Sequence, residues 1–80
     1  MTAAEARIQK TPGVMGGEAC IRDTRITVWI LGGYRQLGMS DARLLTAYPT
    51  LTQQDLDAAW DYYRQHSAEI DDAIRRNEED

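Results

Sequence analysis

The chain has 80 residues, a single cysteine and a net charge of −4 at pH 7. One cysteine excludes an internal disulfide and any zinc site built from several cysteines. No apolar run approaches the roughly 20 residues needed to cross a membrane, and the charged N-terminal segment predicts no signal peptide, so we expect a single small domain in the cytoplasm.

The charge is divided unevenly between the two halves of the chain. Residues 1–40 carry five basic and three acidic side chains, whereas residues 41–80 carry four basic and ten acidic ones. Surfaces that bind phosphate are usually basic, so any nucleic-acid contact is expected in the first half. The acidic second half suits a basic partner protein, because opposite charges steer association.

The N-terminal part of the chain predicts a small β-hairpin within residues 7–27. A short strand at residues 7–10 is followed by two turn signatures, Thr-Pro-Gly at 11–13 and Gly-Gly at 16–17. The β-branched residues at positions 21, 24 and 26 then predict a second strand. A hairpin this small is marginally stable alone, so it is expected to pack on the rest of the domain.

A helix over residues 28–37 is expected next, with Thr27 as its N-cap and Gly38 as its left-handed end. Four residues at helical spacing form its predicted inward stripe: Val28, Leu31, Tyr34 and Leu37. Trp29 and Ile30 widen this stripe beyond one face. The pair Gly32-Gly33 lowers helix stability, which predicts close approach of another backbone.

A helix–turn–helix pattern follows. Ser40 predicts the N-cap of a short helix that stops at Tyr48-Pro49, because proline cannot continue a helix. Thr52 and Asp55 form a capping-box-like pair at the start of the next helix. Two short helices joined by a tight turn have the outline of a helix-turn-helix unit, so residues 28–63 are predicted to form a three-helix core.

The last helix is predicted to be unusually long, because no helix breaker occurs between Thr52 and Asn77. Six residues recur along it at alternating spacings of four and three: Leu56, Trp60, Tyr63, Ser67, Ile70 and Ile74. A helix of about 25 residues spans roughly 38 Å, whereas a domain of this size is about 25–30 Å across. Residues 64–80 are therefore predicted to project beyond the core as a helix that needs a partner.

Candidate interface residues follow from this arrangement. The projecting helix supplies four candidate partner contacts: Ser67, Ile70, Ile74 and Arg75. Three aromatic residues are candidate core or dimer contacts: Trp29, Trp60 and Tyr63. Three arginines and two glutamines are candidate DNA contacts: Arg22, Arg25, Arg35, Gln53 and Gln54.

The candidate DNA contacts also have structural explanations. Glutamine can pair with adenine through two hydrogen bonds, but Asp55 and Asp57 beside the two glutamines would face phosphates. The arginines can equally pair with carboxylates of the same domain. Both interpretations stay open at this point.

The sequence predicts no enzyme and no cofactor. His66 is the only histidine, and Cys20 has no histidine near it in the sequence. The aspartates of the last helix follow one element instead of converging from several, which is typical of a solvated helix face.

An ordered series of short motifs resembles the domain-of-unknown-function 433 family. In chain order the motifs are TPGVMGG at 11–17, IRDTRITV at 21–28, GMS at 38–40, YP at 48–49 and LT at 51–52. The resemblance covers roughly residues 8–74. One departure is Asp23, where the family pattern has glycine.

The resemblance implies a mainly α fold, in which an N-terminal β-hairpin packs on a three-helix domain of the helix-turn-helix (winged-helix or homeodomain-like) type. It implies an antitoxin of a bacterial toxin–antitoxin module that binds a PIN-like ribonuclease toxin, with binding to its own promoter DNA as a further role. The helical periodicity adds that the C-terminal helix grips the toxin or another copy, in a homodimer or higher oligomer. The alternative is a stand-alone helix-turn-helix DNA-binding regulator, against which the acidic second helix of the unit weighs.

Overall fold

The computed structural model describes residues 7–22 and 24–78, without the side chain of residue 78. It contains a two-stranded hairpin, a short 3-10 helix (Met15–Gly17) between the two strands, and four α-helices. The strands are β1 (Ile8–Lys10) and β2 (Ala19–Ile21), which pair antiparallel. The helices are α1 (Val28–Gln36), α2 (Asp41–Ala47), α3 (Gln53–Gln65) and α4 (Ser67–Glu78). The prediction of a mainly helical fold with a small hairpin is confirmed. Asp23, the departure from the family pattern, lies outside the described residues, as do residues 79–80.

The hairpin is fixed to the helices through β2, whose three residues are all buried. The Ile21 N–H donates to the Ile26 carbonyl at 2.9 Å, and the Thr24 hydroxyl donates to the Ile21 carbonyl at 2.7 Å. These bonds turn the chain from β2 into α1. The Arg7 guanidinium, just before β1, donates to the Asp55 carboxylate of α3 at 2.7 Å. The hairpin thereby gains the support that two short strands need.

The predicted starts and ends of α1 and α2 are confirmed. The Thr27 hydroxyl accepts from the Ile30 N–H at 3.2 Å, and the Ser40 hydroxyl accepts from the Arg43 N–H at 3.3 Å. Gly38 has a φ of 93°, the left-handed conformation expected of a residue that ends a helix. Local chemistry therefore decides where these two helices begin and end.

The start of α3 is also as predicted. The Thr52 hydroxyl accepts from the Asp55 N–H at 3.2 Å, and the Asp55 carboxylate accepts from the Thr52 N–H at 3.0 Å, which completes a capping box. Helix α2 ends at Ala47, two residues before Pro49, so the turn between the helices is short.

The prediction of a continuous, projecting C-terminal helix was wrong. Helix α3 ends at Gln65, His66 has a φ of −131° and a ψ of 41°, and α4 then turns back across α1. Ile70 and Ile74, predicted to lie beyond the core, are only 1% and 6% exposed. The reason is tertiary, because burying this apolar stripe against the chain's own core removes it from water without a partner.

The hydrophobic core lies where β2 and the four helices meet. Its fully buried large side chains include Ile21, Val28, Leu31, Leu44, Leu56 and Ile70. A Cβ built on Gly32 would lie 2.6 Å from the Tyr63 ring and 3.6 Å from the Ile70 side chain. The close approach predicted for the glycine pair is thus made by side chains, not by a backbone, and only at Gly32.

Candidate functional site

An open apolar groove runs along the outer side of α1, and we call it the α1 groove. Its volume is about 480 Å³, and one wall consists of four residues of α1 and the residue that caps its end: Trp29, Ile30, Gly33, Tyr34 and Leu37. Tyr48 after α2 and Ile74 and Asn77 of α4 complete the lining. None of these eight lining residues is charged. Leu37 is 84% exposed and Tyr34 is 40% exposed, so the chain leaves large apolar side chains in solvent here.

The groove follows from the distribution of apolar residues around α1. Val28 and Leu31 face the core and are fully buried. Trp29, Gly33 and Leu37 are four residues apart, which places them together on another side of the helix. Helix α1 is therefore apolar on two sides, and the structure described covers only one of them.

Helix α4 runs opposite to α1, which decides what lies at each end of the α1 groove. The Gln36 amide, at the end of α1, lies 3.5 Å from the Asp71 carboxylate in the first half of α4. The Arg76 guanidinium, near the end of α4, lies 3.7 Å from the Glu18 carboxylate, which immediately precedes β2. The end of α4 therefore lies beside the start of α1.

The two ends of the α1 groove differ in charge. Beside Leu37, a shallow depression is lined in part by Arg43, so this end is basic. At the other end, Asn77 is followed in the sequence by Glu78, Glu79 and Asp80. The C-terminal end of α4 lies here, and a helix end carries partial negative charge.

A second groove, which we call the Arg35–Trp60 groove, lies on a different side of α1. Its volume is about 330 Å³, and its lining is Gly32, Arg35, Gln36, Trp60, Tyr63 and Arg64. The Arg35 guanidinium lies 4.4 Å from the Trp60 ring centroid, a cation–π contact. The Trp60 indole N–H donates to the Asp41 carboxylate at 3.2 Å. Side chains of this groove thus already pair with other groups of the chain.

Tyr63 is another lining residue of the Arg35–Trp60 groove. Its hydroxyl accepts from the Gln36 amide at 2.7 Å and donates to the Asp71 carboxylate. Burial raises the pKa of Tyr63, and the hydrogen bond to Asp71 raises it further. The hydroxyl therefore stays neutral at physiological pH and ties α1, α3 and α4 together.

The four candidate partner contacts of α4 fall into two groups. Ile70 and Ile74 face the core, and Ile74 also forms part of the α1 groove. Ser67 and Arg75 are exposed on the outward face, where the Arg75 guanidinium pairs with the Asp72 carboxylate at 2.6 Å. The structure therefore does not bring these four residues together on one surface.

The three aromatic candidates lie in different environments. Trp60 is 8% exposed and belongs to the core cluster, and Tyr63 packs against that cluster. Trp29 is half-buried and lines the α1 groove. Trp60 and Tyr63 are thus core contacts, as one of the two predicted alternatives stated.

The glutamines predicted to read DNA are engaged within the chain. The Gln53 amide donates to the Asp41 carboxylate at 2.8 Å and to the Asp57 carboxylate at 3.1 Å. The Gln54 amide oxygen accepts from the Arg7 guanidinium at 2.8 Å. Base reading by these side chains would first have to break those hydrogen bonds, so the structure gives the prediction no support.

The three candidate arginines do not form one patch. Arg22 and Arg25 are exposed before α1, and neither forms an ion pair with a side chain of residues 7–22 or 24–77. Arg35 lies in the last turn of α1, about 12 Å further along the helix axis. The predicted carboxylate pairing is thus not seen among the described side chains, and Arg35 stacks on Trp60 instead.

The sequence reasoning missed the exposed end of α1 and the anchoring role of Arg7. Tyr34 and Leu37 were expected to face inward, but the elements that bury Leu31 do not cover the last turn of α1. The widened stripe that includes Trp29 was the available signal for a second apolar side. No local signal pointed to Arg7, whose partner Asp55 is 48 positions away.

The described residues offer few groups for chemistry. Among the side chains of residues 7–22 and 24–77, no three His, Cys, Asp or Glu are placed to hold a metal ion. Burial, and then the nearby Glu18, raises the pKa of the Cys20 thiol, which disfavours the reactive thiolate. Across the same residues, no helix is both long and apolar enough to span a membrane.

Comparison with known proteins gives two matches. The sequence model of a family described as "Protein of unknown function (DUF433)" matches residues 8–63. A DUF433 member protein from Anabaena variabilis ATCC 29413, known from its crystal structure, has 56% sequence identity to this chain. The two structures superpose with a TM-score of 0.85. That match covers 86% of this chain and 68% of the other. A search among curated proteins finds no match.

Proposed function

We propose, on the premise that this chain belongs to the DUF433 family, that it is a non-enzymatic antitoxin that binds and neutralises a PIN-like ribonuclease toxin in a bacterial cytoplasm. The family resemblance supplies the toxin as the expected partner. The apolar stripe of α4 is unavailable for the grip expected from the sequence, because Ile70 and Ile74 lie in the core. The proposed contact therefore uses the outward faces of α3 and α4.

Exposed and partly exposed carboxylates of these two helices carry the proposal: Asp57, Asp61, Asp71 and Asp72. Asp61 also pairs with Arg64, and Asp72 pairs with Arg75 and Arg76. A ribonuclease binds the RNA backbone with basic groups. An acidic protein surface can occupy those groups, because complementary charge favours both encounter and correct orientation. Ser67 and Arg75 lie on the same outward side of α4 and remain candidate contacts.

An RNA-cleavage assay with the purified product of the adjacent open reading frame tests the proposal directly. We expect this chain to abolish cleavage of a test RNA at a one-to-one ratio, and we expect the complex to weaken as salt is raised. Asp57→Lys combined with Asp61→Lys should weaken binding at least about 10-fold, because both charges face the basic partner. Arg25→Ala serves as a control outside the contact. Undiminished RNA cleavage at saturating concentrations of this chain would contradict the proposal.

Promoter DNA is a second candidate partner, and exposed Arg22 and Arg25 favour it. In this version α2, the turn and α3 form a helix-turn-helix-type unit, and the two arginines contact phosphates. We expect binding of the operon's promoter fragment to fall with salt. Replacing both arginines with alanine should lower the salt slope by about 2, one for each lost phosphate contact. A slope unchanged by the double variant, measured beside Arg64→Ala as control, would exclude this contact.

A further inference from the structure

The joint between α3 and α4 can open, and we propose that two copies of this protein form a dimer by exchanging α4 with His66 as the hinge. In this dimer His66 adopts helical backbone angles, so that α3 and α4 become one continuous helix. Each α4 then packs on α1 of the other copy through the contacts that it now makes within one chain, which is domain swapping. The proposal does not depend on toxin binding.

The backbone at the joint is the first observation. Helix α3 ends at Gln65 and α4 begins at Ser67, so a single residue separates helices of 13 and 12 residues. Helical hydrogen bonds reach His66 from both sides, because its N–H donates to the Tyr62 carbonyl at 2.9 Å and its carbonyl accepts from the Ile70 N–H at 3.1 Å. Its ψ of 41° lies far from the helical value of about −42°. A dihedral change at one residue, which is neither glycine nor proline, therefore makes the helix continuous.

Straightening the joint costs little locally and gains hydrogen bonds. Tyr62 stacks on His66 with ring centroids 4.2 Å apart, and its hydroxyl lies 3.0 Å from the Glu69 carboxylate. These partners are four and seven positions apart, so they share one face of a continuous helix and are not separated. The first amides of a separate helix have no partner within it, whereas in a continuous helix the N–H groups of residues 67–69 donate to the carbonyls of residues 63–65.

The length of a continuous helix makes a second copy necessary. Residues 53–78 would span about 39 Å at about 1.5 Å per residue, whereas the longest dimension of the molecule is 30 Å. Straightening therefore carries Ile70 and Ile74, now 1% and 6% exposed, away from their own α1. Exposing them to water is unfavourable, so the straight form persists only where both stripes are covered again. Reciprocal exchange covers both, and rising concentration favours it.

The surface of α1 that holds α4 identifies the occupant as another α4. A Cβ built on Gly32 would lie 3.6 Å from the Ile70 side chain, so the glycine lets Ile70 approach α1 closely. The Gln36 amide lies 3.5 Å from the Asp71 carboxylate, to which the Tyr63 hydroxyl also donates. Packing and polar contacts on α1 and α3 are thus matched to α4, and α4 of a second copy reproduces them without any new surface.

Light scattering after refolding from urea at millimolar concentration tests the exchange. We expect a species of twice the 9.1 kDa chain mass for the native protein. Ser67→Pro should raise the dimer dissociation constant at least about 100-fold, because proline fits the first position of α4 but not the interior of a continuous helix. Ser67 is exposed, so circular dichroism should show a folded monomer for this variant. Ser67→Ala is the matched control and should dimerise like the native protein.

Cross-linking between α1 and α4 distinguishes the exchange from any other dimer. Gln36→Cys and Asp71→Cys are made in separate chains, refolded together at millimolar concentration and treated with a short bismaleimide. Because position 36 of one chain lies beside position 71 of the other in the exchanged dimer, the two chains should become covalently joined. Cys20 is buried and does not compete. The same pair with Ser67→Pro in both chains is the control and should stay unjoined.

Three results would overturn the exchange of α4. The first is a native protein that stays monomeric after refolding at millimolar concentration. The second is a dimer that forms equally well with Ser67→Pro. The third is a dimer in which positions 36 and 71 of different chains are not joined. None of these results bears on toxin binding, which the RNA-cleavage assay tests separately.

Discussion

Replacing Ile70 with alanine is expected to lower the free energy of unfolding by about 3 kcal/mol. The side chain is 1% exposed at the contact between α4 and α1, so its removal loses apolar burial and leaves a cavity. A domain of this length typically has about 4–12 kcal/mol of stability in total. The variant should therefore lose roughly a quarter to three quarters of the stability of the native protein, which urea denaturation followed by circular dichroism measures directly.

Ser67→Ala is the matched control for Ile70→Ala, because Ser67 lies on the same helix but is exposed. Its effect should stay within about 0.5 kcal/mol. If α3 and α4 instead formed one straight, projecting helix, Ile70 would be exposed and the two variants would behave alike. Equal and small effects would thus contradict the docking of α4 on α1.

The elements with local signals could be predicted from the sequence. Thr27, Ser40 and Thr52 cap their helices as expected, and Gly38 ends α1 in the left-handed conformation. Each of these features depends on a side chain and a backbone group only a few residues apart. Such interactions act before any tertiary contact is considered, so the sequence alone contains them.

The break at His66 could not be predicted, because nothing local requires it. No proline or glycine stands there, and a continuous helix would satisfy the same backbone hydrogen bonds. The break is favoured by tertiary packing, because Ile70 and Ile74 can be buried against α1 only when the chain turns back. The same packing also changes which surface is free for a partner. It buries the apolar stripe of α4 that was predicted to be exposed, and it leaves the outer side of α1 uncovered.

The ion pair between Arg7 and Asp55 is a polar contact that the sequence alone could not predict either. Asp55 was expected only to complete a capping box, which is local. The structure also brings Arg7 to it from the start of the hairpin, with the two side chains 19% and 9% exposed. One carboxylate thus caps α3 and anchors the hairpin.

Asp55→Asn is expected to lower the free energy of unfolding at pH 7 by about 2–3 kcal/mol. Weakening the capping box accounts for about 1 kcal/mol, and leaving the largely buried Arg7 without its charged partner accounts for the rest. Asp57→Asn is the matched control, because Asp57 is exposed on the same helix. Among the described side chains, only the Gln53 amide donates a hydrogen bond to its carboxylate. Its effect should stay within about 0.5 kcal/mol. Equal effects of the two variants would show that the hairpin is not anchored through Asp55.

Acid titration of stability provides an independent test of the same pair. Burial alone would raise the pKa of Asp55, but hydrogen bonds from the Thr52 backbone, from Arg7 and from the Thr52 hydroxyl outweigh burial and hold that pKa below its ordinary value of 3.8. Near and below pH 3.8 the unfolded chain therefore binds the proton more readily than the folded chain, so acid favours unfolding. The contribution of Asp55 is complete above this range and is lost as pH falls through the lowered folded-state pKa. The difference in stability between native protein and Asp55→Asn should accordingly be largest near neutral pH and shrink in acid, and a difference independent of pH would contradict the charged pair.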